Sequence, residues 1–206
     1  MTLVVAPIPV GAKLIDTIAP LGLGQLVSMR EAGVEGVIAY LGGNLTPTLL
    51  EDAQQAKVGV VPVNFSRAEQ WQPSAQLGQA DAARSVRLLQ ALGVPLEGLY
   101  DWCDLEGCGS DPTGYLHGYA PIILSAGAKA GLYVGAGGLL SGTQLYALPG
   151  FTGYWRSQSR GIPEPQCGFV LSQLYPSVHC AGTLVDYDYA QHDFQGRSAT
   201  WLVGAG

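Results

Sequence analysis

At 206 residues the chain suits one domain, 1–206, and 48% hydrophobic against 13% charged residues points to a large buried core and excludes a disordered protein. Ten Lys and Arg against sixteen Asp and Glu leave a net charge of -6 and no basic stripe to neutralise phosphates, so nucleic acid is not an expected partner. The opening MTLVVAPIPVGAKLID has no basic residue before Lys13 and carries Pro7 and Pro9, a poor secretory leader. The apolar run from Tyr119 to Leu140 is broken by Pro121, Lys129 and many small residues, so no membrane insertion is expected.

Taken in order, the apolar periodicity predicts strands at 12–18, 34–41, 57–65, 98–106, 129–136, 150–158, 167–175 and 182–189. Helical patterns fall between the early strands, at 22–32, 47–56, 76–92 and 113–128, with a shorter one at 138–147. Thr46 before Pro47 and Asp111 before Pro112 have the chemistry of helix starts. Gly93 stops the third helix, whose expected buried stripe is Ala80, Ala83, Val86, Leu88 and Leu89. Strand alternating with helix five times, then three strands, predicts an α/β fold: an irregular TIM-like (β/α) barrel. An open doubly wound sheet is the alternative, disfavoured by the lack of long helices to cover a second face. The links between the last strands are too short for ordinary parallel crossovers, so either they run extended or one late strand is antiparallel.

The chain is short of charge, yet GLYDWCDLEG (98–107) holds Asp101, Asp104 and Glu106. In a strand, alternate side chains share a face, so Trp102, Asp104 and Glu106 point one way and Asp101 the other, towards a helix. The C-terminal strand end is the mouth of a barrel, where such folds build their sites. Asp16 on the first strand and Asp186 and Asp188 on the last add acids from two strands that neighbour each other once a barrel closes. Tyr40, Phe65, Tyr133, Trp155, Gln173 and Tyr175 also fall at strand ends. Rings beside carboxylates suit a sugar, which stacks its faces and needs acceptors for its hydroxyls. Each acid alone is more ordinarily a cap or turn residue; the cluster is what points to a site.

Other chemistries fit less well. YVGAGG (133–138) lacks full dinucleotide spacing and reads as a plain βα turn. His117, His179 and His192 lie far apart, so no structural zinc and no cofactor are expected, although the residues leave a divalent cation at the acidic mouth open. No G-x-S-x-G occurs. The four cysteines form sequence-local pairs, Cys103 with Cys108 and Cys167 with Cys180, read either as buried free thiols or as two loop-closing disulfides. The second pair would be in reach if both late strands ran parallel.

LIDT, GVEGVIAYL, GQADAARSVRLLQALGVPLEGLYDWCDLE, AGLYVGAGGLL and VDYDYA together resemble the glycoside-hydrolase-like family first catalogued as domain of unknown function 1906. That family in turn resembles the family 25 lysozymes, and the likeness runs through nearly the whole chain. It implies a barrel of five βα units and three further strands. It also implies Glu106 as general acid and Asp104 as second catalytic carboxylate, from the match of Asp104-Leu105-Glu106 to a D-x-E motif. Asp16 and Asp186 match acids on the first and final strands. Tyr40, Trp102, Tyr133, Trp155, Gln173, Tyr175 and Asp188 are the expected substrate-binding residues. The implied function is a muramidase acting on peptidoglycan glycan strands as a monomer, a phage-type lysin released from a host cytoplasm, virion-borne or secreted by another route. The alternative is a non-catalytic glycan-binding or virion module on the same barrel.

Overall fold

The computed structural model describes residues 2–64 and 67–205. Its strands are β1 (Leu3–Pro7), β2 (Lys13–Asp16), β3 (Gly36–Leu41), β4 (Gly59–Asn64), β5 (Tyr100–Leu105), β6 (Lys129–Val134), β7 (Phe151–Arg156), β8 (Leu171–Cys180), β9 (Thr183–Ala190) and β10 (Thr200–Gly204). Its helices are α1 (Leu23–Glu31), α2 (Pro47–Ala56), α3 (Ala75–Ala91), α4 (Thr113–Ser125) and α5 (Gly142–Tyr146). Strands β2 to β8 pair in parallel, and β9 closes the barrel by running antiparallel to both β8 and β2. The expected irregular barrel is therefore present, and the short last link is an antiparallel hairpin. Ala181 and Gly182, both at positive φ, turn it between Cys180 and Thr183.

Two strands were not expected. β1 pairs with β10, and β10 wedges against the base of β4 at Leu202 and Val60. Thr200 extends the wedge to β5 by accepting the Tyr100 backbone N–H and donating to the Gly98 carbonyl. Trp201 plugs the barrel floor so closely that a Cβ on Gly59 would sit 2.3 Å from its ring, which leaves glycine as the residue that fits there.

Local chemistry accounts for the helices. Thr46 caps α2 by accepting from the Leu49 N–H, with Pro47 at the first helical position, and Ser74 does the same for α3 at Leu77. Asp111 accepts from Thr113 N–H at the start of α4. The buried stripe of α3 differs from expectation: it is Gly78, Ala82, Ser85 and Leu89, while Ala80 is exposed. The reason is the closeness of α4. A Cβ on Gly78 would lie 2.0 Å from the Tyr115 carbonyl oxygen, and one on Gly118 2.2 Å from that of Ala75, so small residues line the crossing.

The barrel interior is filled by Leu14, Ile38, Val61, Val63, Tyr100, Trp102, Val170 and Leu171. A second layer packs α1 and α2 on β2–β4, and a third packs α3, α4 and α5 on β5–β7. The four cysteines are buried free thiols. Cys167 precedes β8 and Cys180 ends it, so a ten-residue strand separates them and the parallel geometry that would bring them together does not exist. No described helix is long and apolar enough to cross a membrane.

Candidate active site

The barrel mouth gathers its acids by register. Asp16 ends β2 directly opposite Asp186 on β9, and Asp104 on β5 pairs beside Tyr133 on β6, itself beside Trp155 on β7. Glu106 follows one residue past the end of β5. These six side chains, with Tyr40 and Gln173, line one cavity of about 280 Å³. Alternation along β5 brings this about: Trp102 faces inward, Asp104 and Glu106 continue that face upward into the mouth, and Cys103 and Leu105 face the helices.

Gln173 is the hub of the polar network. Its amide nitrogen donates to Asp16 Oδ2 at 3.2 Å and to Asp186 Oδ2 at 3.3 Å. Its oxygen accepts from Tyr133 Oη at 3.1 Å and from the Gln158 backbone N–H at 3.2 Å. Tyr40 Oη donates to Asp16 Oδ2 at 3.1 Å, and Gln158 Nε2 donates to Asp186 Oδ2 at 3.3 Å. Ser177 Oγ donates to Asp186 Oδ1 from a bulge in which three residues of β8 oppose one of β9. The bulge gives Asp186 a hydroxyl donor that a regular ladder would carry past it.

Electrostatics set the acids apart. Burial, reinforced by the charges of Asp186 and Glu106, pushes the Asp16 carboxyl from 3.8 up to about 7 against the opposing hydrogen bonds from Tyr40 and Gln173. Burial and then Glu69 raise the Glu106 carboxyl above its ordinary 4.5. Glu69 belongs to the loop between β4 and α3, which folds over the turn after β5: Trp71 Nε1 donates to the Glu106 carbonyl at 2.8 Å and Gln70 N–H to that of Gly107 at 2.7 Å. Gly135 makes the room on the other side, since a Cβ there would lie 2.7 Å from Glu106 Oε2. The link after β6 is the expected turn, and Gly135 within it leaves space for the Glu106 carboxyl.

Three expected substrate contacts do not line this cavity. Trp102 is fully buried in the barrel interior, stacked on Tyr100 with centroids 5.2 Å apart. Asp188 is fully buried too and accepts Trp155 Nε1–H at 2.7 Å. Tyr175 lies on the outer bulge of β8, 81% exposed. Phe65 lies outside the described residues. Sequence reasoning missed Ile18, Ser157, Gln158 and Ser159, which line the rim, and Glu69. The polar run of Ser157 to Ser159 just past β7 was the available signal. Among the described residues no group of three His, Cys, Asp or Glu side chains gathers as a metal site.

The barrel is similar in fold to solved family 25 glycosyl hydrolases. One such enzyme, GHIP of Streptococcus pneumoniae, is similar with a TM-score of 0.63 and 16% identity over 87% of each chain. Another, from Bacillus anthracis, gives 0.58 and 14% over 90% of this chain and 91% of that one. An uncharacterized protein of B. stearothermophilus gives 0.71 and 16% over 88% of this chain and 96% of that one. No protein-family model and no curated protein matches the chain. The likenesses establish a glycoside-hydrolase-like fold.

Proposed function

We propose that the protein is a peptidoglycan glycosidase of muramidase type, cleaving the β-1,4 bond between N-acetylmuramic acid and N-acetylglucosamine. The observation that carries this reading is the pair Asp104 and Glu106, two residues apart, opening into one cavity whose wall is built by Tyr133 and Trp155. Glycoside hydrolysis needs one carboxyl that still holds a proton for the leaving oxygen and one negative group for the oxocarbenium-like centre. Glu106, raised by burial and by Glu69, suits the first role, and Asp104 the second. Asp16 and Asp186, tied together through Gln173, hold the opposite wall and present acceptors to sugar hydroxyls. Tyr133 edges the cavity and is backed edge to face at 4.4 Å by the buried ring of Trp155, so the wall beside the acids is apolar and held in place. The test is release of reducing ends from purified peptidoglycan, with mass spectrometry of the fragments. New N-acetylmuramic acid ends support the reading. New N-acetylglucosamine ends, free stem peptides or no release contradict it.

A further inference from the structure

Beneath Asp16 on the cavity wall lies a further acid, Asp188, that the reaction above does not use. Asp188 on β9 sits opposite Leu14 on β2, and Asp186 opposite Asp16, so Asp188 and Asp16 are diagonal neighbours on the inner face of two antiparallel strands. Asp188 has no exposed surface and Asp16 is 8% exposed. One oxygen of each is engaged: Asp188 Oδ1 accepts from Trp155 Nε1, and Asp16 Oδ2 from Tyr40 and Gln173. The other two oxygens, Asp188 Oδ2 and Asp16 Oδ1, are buried and have no hydrogen-bond partner among the described residues. Two ionised carboxylates left this way would be costly, because buried acceptors without donors lose their hydration and like charges repel. A single proton between them supplies the missing donor.

We propose that Asp188 and Asp16 hold one proton between them, carried by Asp188, and that Asp188 is thereby a positioning residue, fixing Trp155 with one oxygen and Asp16 with the other. The groups around the pair agree. Burial, then Asp16 and Asp186, raises the Asp188 carboxyl well above its ordinary range, and the Trp155 N–H opposes this. Asp16 faces Asp186 and Glu106 as charges and Tyr40 and Gln173 as donors. The wall of the mouth is then one carboxylate stiffened by one neutral acid. The proton pair belongs to the folded barrel; its effect on catalysis rests on the glycosidase reading, so the test is made without substrate.

Native electrophoretic mobility, calibrated by a lysine-acetylation charge ladder, reads the proton directly at about pH 8, above the ordinary carboxylate range. Asp188→Asn should leave the net charge unchanged, because a neutral group replaces a neutral group. A protein less negative by one charge would overturn the proposal. If Asp188→Asn does not fold, the side-chain carboxyl carbon resonance of Asp188 in the parent decides, a protonated value supporting the pair and an ionised one rejecting it. The positioning role has its own readout. The Trp155 indole N–H resonance should hold its place in Asp188→Asn, which keeps an acceptor, and move in Asp188→Leu; an unmoved resonance in the leucine variant would refute it.

Discussion

Strand β5 carries carboxylates on both faces, and the two faces differ. On the outer face Asp101 is fully buried beneath α3 and α4, where Ser85 Oγ donates to one oxygen and Tyr119 Oη to the other at 2.7 Å. On the inner face Asp104 and Glu106 are half-buried and open into a cavity shared with Asp16 and Asp186. Asp101 is an anchor whose oxygens are spent on pinning two helices to the sheet. The mouth acids are crowded by one another and keep faces towards space that a ligand can enter. Burial alone therefore does not mark a functional acid; what matters is whether its neighbours have already used it.

Substitutions test that contrast. Asp104→Asn should lower hydrolysis roughly 10²–10³-fold by removing charge from a shielded centre, measured as reducing-end release, while leaving the urea midpoint close to the parent's. Asp101→Ala should do the reverse, stranding the Ser85 and Tyr119 hydroxyls at a cost of about 1–3 kcal/mol in urea unfolding. Reducing-end release by its folded fraction should stay that of the parent; a fall equal to that of Asp104→Asn would erase the distinction.

Titration sharpens it. Asp101 is raised by burial to about 6 and Asp16 to about 7, both from 3.8. Each holds its proton more tightly folded than unfolded, so unfolding releases protons and stability falls as pH rises. The contribution is fully present below the unfolded value of 3.8 and is lost through about 6 for Asp101 and about 7 for Asp16. Chemical denaturation across that range should show the decline, and Asp101→Asn should remove only its lower part. The smallest effect should come from Tyr175→Ala. A side chain 81% exposed and outside the cavity should change glycan affinity by under about 0.5 kcal/mol in calorimetry. A larger loss would extend the groove onto the β8–β9 hairpin.

Much of this was legible because period and capping are local. The eight barrel strands, with β8 lying later than the expected 167–175, the cap at Thr46 and the inward direction of Asp104 follow from alternation and from residue types at helix starts. The ribbon of β1 and β10 was not legible, because it joins the two ends of the chain and neither segment alternates strongly enough to announce a partner so distant. The α3 stripe was misjudged for a related reason: Gly78 and Ser85 look like poor core residues until α4 is known to pass within backbone contact. Trp102 and Trp155 illustrate the same limit within the site. Both face inward, but depth along the strand decides that one fills the barrel and the other lines the mouth, and depth depends on where the barrel closes.

The central claim is that Glu106 donates the proton, and one substitution tests it most directly. Glu106→Gln keeps the shape and the hydrogen-bonding reach of the side chain and removes the transferable proton. With purified peptidoglycan, the parent should release reducing ends and the variant should release them roughly 10²-fold more slowly or worse, with glycan affinity retained. Equal rates in the two proteins would contradict the assignment of Glu106, and a parent that binds the glycan yet never cleaves it would contradict the glycosidase reading itself.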